Sequence, residues 1–161
     1  MRERRAPLVI REATVDDLPA CEAILRSLPD WFGIDEAIDA YVEDIASMRI
    51  LVACAGSQIV GFLAVNAHNP STVEIHAMAV DAGHHRAGIG RALVDEVERI
   101  ARMDGHRLVE VKTLGPSHPS THYAATRRFY DALGFIPVEE LDGPWPGNPC
   151  LIMVKVLDAR T

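Results

Sequence analysis

Eighteen residues, Glu74-Ile75-His76-Ala77-Met78-Ala79-Val80-Asp81-Ala82-Gly83-His84-His85-Arg86-Ala87-Gly88-Ile89-Gly90-Arg91, carry the sharpest signal in the chain. The first seven alternate as a strand does, and from Gly88 onward Ile89, Leu93, Val97 and Ile100 recur at helical intervals. A strand therefore runs through a short glycine-containing loop straight into a helix. Gly88 and Gly90 have no side chains, so the backbone there can come close to a ligand. The amides that open a helix have no acceptors within it, and the helix dipole favours negative charge at that end. The pattern describes a phosphate cradle, although a G-x-G pair alone also fits a tight strand-to-helix turn. No G-x-x-x-x-G-K-[ST] is present, and G-x-G-x-x-G is incomplete, which excludes two common nucleotide loops.

Working outward, Leu8 to Arg11 reads as a strand, and Thr14 with Asp17 as the capped start of a helix that Pro29 stops. A second helix is predicted from about Glu36 to Met48. Strands follow at Arg49 to Ala55 and Ile59 to Ala67, around the turn Gly56-Ser57-Gln58, and at Thr72 to Val80. The helix from Gly88 to Met103 ends at Asp104-Gly105. A strand at Leu108 to Thr113, a helix at Tyr123 to Leu133, and strands at Ile136 to Leu141 and Cys150 to Leu157 complete the chain. The order β-α-α-β-β-β-α-β-α-β-β predicts a mixed α/β sheet with helices on both faces.

Composition bounds the function. The 161 residues suit one domain, and 48% hydrophobic with 24% charged residues is a globular balance. Sixteen Lys+Arg against 23 Asp+Glu leave a net charge of -7, which argues against a nucleic-acid partner. No apolar run reaches the ~20 residues of a membrane span, and the start lacks a signal-peptide pattern, so a cytoplasmic protein without a membrane partner is expected. Cys21, Cys54 and Cys150 are scattered and set among apolar residues, the pattern of buried, inert thiols in a reducing compartment. A metal site is not expected. His84 and His85 are adjacent and point apart on extended backbone, and Pro119 breaks the helical spacing between His118 and His122.

Two runs together resemble a known family. Met78 to Asp81 followed by Arg86 to Leu93 is similar to motif A of the GCN5-related N-acetyltransferases (GNAT), whose pattern is Q/R-x-x-G-x-G/A. Gly88 and Gly90 match its glycines, while His85 stands at its first position with Arg86 beside it as a cation. About forty residues on, Arg128-Phe129-Tyr130-Asp131-Ala132-Leu133-Gly134-Phe135 resembles motif B, F-Y-x-x-x-G-F. Tyr123 stands where the family often has Asn, and Thr126 where it often has Ala.

The resemblance implies one GNAT domain over residues 1–161. Its sheet would be mixed and mostly antiparallel, with a central pair of parallel strands, Glu74 to Val80 and Leu108 to Thr113, that splay apart. It implies acetyl-CoA as co-substrate. Its pyrophosphate would lie on the amides of Arg86, Ala87, Gly88, Ile89, Gly90 and Arg91, with His85 at the motif's side-chain position and Tyr123 at a further cofactor contact. Its pantetheine arm would be held by the backbone of Met78, Ala79 and Val80.

The implied reaction is direct transfer of the acetyl group to a primary amine of a small molecule, a lysine or a protein N-terminus. Tyr130 is placed as the acid that protonates the leaving thiolate. Glu74 and His76, two apart on one strand face, are the candidates for the base, with Glu110, His118 or water as alternatives. Glu74 precedes His85 by eleven residues, as a catalytic glutamate does in some members. Trp31, Phe32 and Tyr41 on the connection after the first strand could cover the acceptor or simply pack, and Trp145 likewise. His84, His85, Arg86 and Arg91 cluster at the cradle while the excess acid, including Glu139, Glu140 and Asp142, lies elsewhere, which favours a cationic acceptor. A homodimer through the C-terminal strands is a further expectation. The competing class is a non-catalytic acyl-CoA-binding or sensing domain.

Overall fold

A computed structural model describes residues 6–33 and 35–158. The elements run β1 Leu8–Glu12, α1 Leu18–Arg26, α2 Asp35–Ile45, β2 Arg49–Ala55, β3 Gln58–Asn69, β4 Thr72–Val80, α3 Ile89–Met103, β5 Leu108–Leu114, α4 Thr121–Ala132, β6 Ile136–Leu141 and β7 Cys150–Val156. The strands form one seven-stranded sheet in the order β1-β2-β3-β4-β5-β7-β6. It is mostly antiparallel, and β4 and β5 are its parallel pair. Their pairing runs from Thr72↔Leu108 to Ile75↔Val111, although β4 continues to Val80 and β5 to Leu114. Among the described residues no helix is long and apolar enough to cross a membrane.

The order of elements matches the sequence reading, and the departures have local causes. Thr14 and Asp17 do interact, with Thr14 N–H donating to Asp17 Oδ2 at 2.8 Å. They close a 3-10 turn, Val15–Asp17, rather than the first turn of the helix. Pro19 at the second position of α1 has no N–H to give, so the α-helix starts at Leu18. The second helix stops at Ile45 instead of Met48, where Met48 N–H turns back to Ile45 C=O at 3.0 Å. Ser120 caps α4 through its Oγ, which accepts from Tyr123 N–H at 3.3 Å, so that helix begins at Thr121.

The chain divides into two compact units. Of the described residues, the first comprises 6–33, 35–65 and 77–97. Its core gathers Cys21, Ile24 and Leu25 of α1, Leu28 just after it, Ile38 and Ile45 of α2, and Val52, Phe62 and Ala64 of the sheet. These are the apolar faces that the helical and alternating periods mark in the sequence. Phe32 meets Tyr41 edge to face at 5.8 Å, and both pack against this core, as does Trp31.

The second unit comprises residues 66–76 and 98–158. Here Val109 and Val111 alternate into a core with Met153, Leu133, Phe135 and Tyr130. Gly134 ends α4 at φ 93°, and Phe135 N–H returns to Tyr130 C=O at 3.0 Å, which closes the helix C-terminus. Strand β6 lies at the sheet edge and leaves Ile136 and Val138 about three-fifths exposed (58% and 60%).

Candidate active site

The cradle lies in the first unit. Strand β4 reaches it by alternation: Ala77 and Ala79 are buried, while Met78 and Val80 on the other face are half-buried. Asp81 N–H donates to Val60 C=O at 2.8 Å and fixes the end of the strand. A 3-10 turn, Ala82–His84, follows, and His84 Nδ1 is bonded to Asp81 Oδ2 at 2.9 Å. Arg86 then adopts φ 63° and Gly88 φ 79°. These left-handed conformations turn the loop sharply, and Arg86 is the one non-glycine residue at positive φ among those described.

A Cβ placed on Gly88 would meet nothing within 4 Å. The space over the loop is open, and it is glycine's backbone freedom, not crowding, that Gly88 supplies. Ile89 is buried and anchors α3. Ala92 N–H makes a bond to Gly88 C=O at 3.0 Å, so the amides of Ile89, Gly90 and Arg91 stand ahead of the helical ladder. Residues Arg86, Ala87, Gly88 and Arg91 are exposed. An anion can thus reach a bent backbone, the positive end of a helix and two guanidinium groups. This arrangement fits a pyrophosphate. His85 is placed differently from the others. Its Nε2 bonds to the carbonyl of Val80 at 2.7 Å, and Trp31 packs edge-on against its ring at 5.8 Å. The ring ties the loop to the end of β4.

The expected acid and base lie in the second unit. Tyr130 is 4% exposed, with Phe129 and Phe135 edge-on at 5.1 and 5.3 Å. Burial alone pushes its phenol above the usual range, so it stays protonated, as a proton donor must. Tyr123 is half-buried in the first turn of α4. His118 accepts a bond from Ser120 N–H at 3.2 Å through Nδ1, within the loop before α4.

Glu74 is 5% exposed and belongs to a network the sequence reading did not anticipate. Its Oε1 lies 2.9 Å from His68 Nε2, and its Oε2 accepts from Lys112 Nζ at 2.7 Å. Lys112 also reaches Glu110 Oε1 at 2.9 Å. The two carboxylates hold the Lys112 ammonium above its ordinary value against the lowering effect of burial. His68, Glu74 and Glu110 bring one ligand atom each within 4.8 Å of one another. Lys112 already supplies the positive charge between the two carboxylates. His76 is half-buried on the same alternating face of β4 as Glu74. Glu110 stood among the alternatives for the base; Lys112, which the sequence reading missed, lies two residues further along β5 and so shares its face. That this face meets Glu74 follows only from the parallel register.

Elsewhere in this unit, Arg99, Arg102, His106 and Arg107 line an open cleft of about 680 Å³ at the end of α3. None of the expected site residues lines it.

Comparison with known proteins places this architecture. The sequence profile of the acetyltransferase (GNAT) domain matches residues 46–137, more than half of the chain. The chain belongs to the GNAT family of acetyltransferases. No curated protein matches it in sequence. Among solved structures, a GNAT-family protein from Desulfovibrio desulfuricans shares 21% identity at TM-score 0.79, covering 94% of this chain and 100% of its own. The ribosomal-protein-S18-alanine N-acetyltransferase of Escherichia coli shares 16% identity at TM-score 0.78, over 96% and 97%. PaiA N-acetyltransferase of Thermoplasma acidophilum, in complex with coenzyme A, shares 20% at TM-score 0.74, over 93% and 99%.

Proposed function

We propose that this protein transfers the acetyl group of acetyl-CoA directly to a primary amine in a ternary complex. The observation that carries the reading is the exposed, bent loop from His85 to Gly88, open above Gly88 and leading into α3. The amides of Arg86 to Arg91 would hold the pyrophosphate, with Arg86 and Arg91 as countercharge. The backbone of Met78, Ala79 and Val80 would hold the pantetheine arm and polarise the thioester carbonyl. Tyr123 offers a further contact from α4. Bound acetyl-CoA supplies an activated acyl group and a thiolate leaving group. Tyr130 delivers the proton that thiolate needs. The polar cluster around Glu74 and His76 on β4 takes up, directly or through an intermediary, the proton that an ammonium must lose before it can attack. No step calls for a metal.

The acceptor is a cationic amine, either a small molecule or a lysine or N-terminus of a protein. The net charge of -7 supports this. Structural neighbours act on acceptors as different as a ribosomal-protein alanine and aminoglycosides, so the fold does not name the amine. Three free, buried cysteines fit a cytoplasmic protein. Exposed Ile136 and Val138 on the edge strand supply a surface where two copies could associate.

One observation favours a second reading, acyl-CoA binding without transfer: Tyr130 is enclosed by aromatic rings. Thiol release from acetyl-CoA over a panel of amines, beside calorimetric titration with CoA, separates the two. Turnover with any amine establishes transfer. Tight CoA binding with no turnover establishes the binding domain.

A further inference from the structure

We infer that the immediate proton acceptor is His68 at the end of β3, and that Glu74 acts through it as a positioning residue. The inference rests on the acetyl-transfer reading above and assigns a member of that reaction which the motifs do not contain. Both oxygens of Glu74 are engaged, Oε1 by His68 Nε2 at 2.9 Å and Oε2 by Lys112 Nζ at 2.7 Å. Its side chain is only 7% exposed, so an acceptor amine cannot reach it directly. The His68 side chain is 37% exposed and forms the open end of the network.

The carboxylate has no proton to give, so the ring nitrogen against it must be the donor. Nε2 therefore carries hydrogen, and Nδ1 of the neutral ring presents a lone pair. An imidazole titrates ordinarily near working pH, which suits a general base. In the step proposed, the acceptor ammonium gives one proton to Nδ1. The freed lone pair forms the N–C bond to the acetyl group, and the C–S bond breaks with its electrons left on sulfur; Tyr130 gives that thiolate a proton, and the second proton lost by the acylated nitrogen restores the phenol. Glu74 stabilises the imidazolium, and the proton then passes to water. The arrangement is that of a carboxylate orienting a histidine base. Lys112, itself paired with Glu110, fixes the carboxylate from behind. Among the described residues the charged and titratable groups grouped with Glu74 are His68, Lys112 and Glu110, with the Cys150 thiol within electrostatic reach of Glu74, Glu110 and Lys112.

The test combines kinetics with nitrogen NMR. For the unaltered chain, kcat/KM falls as pH drops through the range of an imidazole. His68→Gln loses about 10²-fold or more in kcat and also loses that acidic limb. His68→Ala regains part of its rate when imidazole is added to the buffer, a rescue that a purely structural role would not give. His68 variants with an unchanged rate and an unchanged acidic limb overturn the inference. Independently of turnover, the ¹⁵N shifts of the His68 ring report hydrogen on Nε2 in the unaltered chain and lose that preference in Glu74→Gln. A ring with hydrogen on Nδ1 instead overturns the inference. Absence of thiol release by the unaltered chain with every amine overturns acetyl transfer itself, while the ring shifts still judge the His68–Glu74 pair.

Discussion

Glu74 and Glu110 stand opposite each other in register on the parallel strands β4 and β5, and one ammonium, that of Lys112, bonds to both. Like charges directly across a strand pair repel, so the pairing here depends on the lysine between them. Lys112→Met should therefore destabilise the fold by about 2–4 kcal/mol in urea denaturation, since two carboxylates with little solvent lose their countercharge. Adding Glu110→Gln should recover a large part of the loss, because one uncompensated charge then goes.

The same network sets an alkaline limit. Lys112 in the folded chain titrates above its ordinary 10.5. The folded form thus binds its proton more tightly than the unfolded form. The stabilisation is complete below 10.5 and fades as pH rises through the higher folded value. Unfolding free energy followed from pH 9 to 12 should fall for the unaltered chain more steeply than for Lys112→Met (roughly the window set by the ordinary lysine value).

Tyr130→Phe should keep the aromatic packing with Phe129 and Phe135 and so leave stability within about 1 kcal/mol. If the phenol protonates the leaving thiolate, kcat should drop roughly 10²-fold with acetyl-CoA affinity unchanged. Tyr130→Ala is a different experiment, because it hollows the core and costs about 3–5 kcal/mol. Rapid-quench kinetics with denaturation curves separates chemistry from folding.

Two glycines should be sensitive to substitution for different reasons. At Gly88 a methyl group meets open space but the backbone sits at φ 79°. Gly88→Ala should cost about 1–2 kcal/mol from backbone strain and weaken CoA binding measured by calorimetry. At Gly61 the same methyl group would lie 3.1 Å from Ile89 Cγ2 and 3.4 Å from the Ala79 carbonyl. Gly61→Ala should disturb the contact between β3 and the start of α3, costing about 1–3 kcal/mol.

Cys21, Cys54 and Cys150 are all free and buried, and burial pushes the Cys21 thiol up to about 11. A thiol-specific reagent near neutral pH should leave the native protein unmodified over an hour and label all three cysteines in denaturant. Rapid labelling of the native chain would mean that the core opens far more often than this packing implies.

What could be read in advance follows from the range of the signals. The strand-loop-helix at Glu74 to Arg91 was legible because alternation, two glycines and a helical period all act within a few residues. The cores of α1 and α3 were legible for the same reason. The start of α1 was misplaced by a turn, since the Thr14–Asp17 contact serves a 3-10 turn and a 3-10 turn has no apolar period of its own. His68 escaped notice because its role depends on how far β3 extends and on how the chain returns through Ser71 to Glu74. Lys112 escaped because a parallel register is set by a crossover of some thirty residues, and no local pattern records it.

The conformation of Arg86 has a consequence for timing. A non-glycine residue at φ 63° is uphill by about 1 kcal/mol, and here the cost falls at folding, before any ligand arrives. The loop does not have to be frozen on contact. An anion that binds there meets donors already aimed, so its arrival would be governed by diffusion and long-range attraction rather than by rearrangement of the loop.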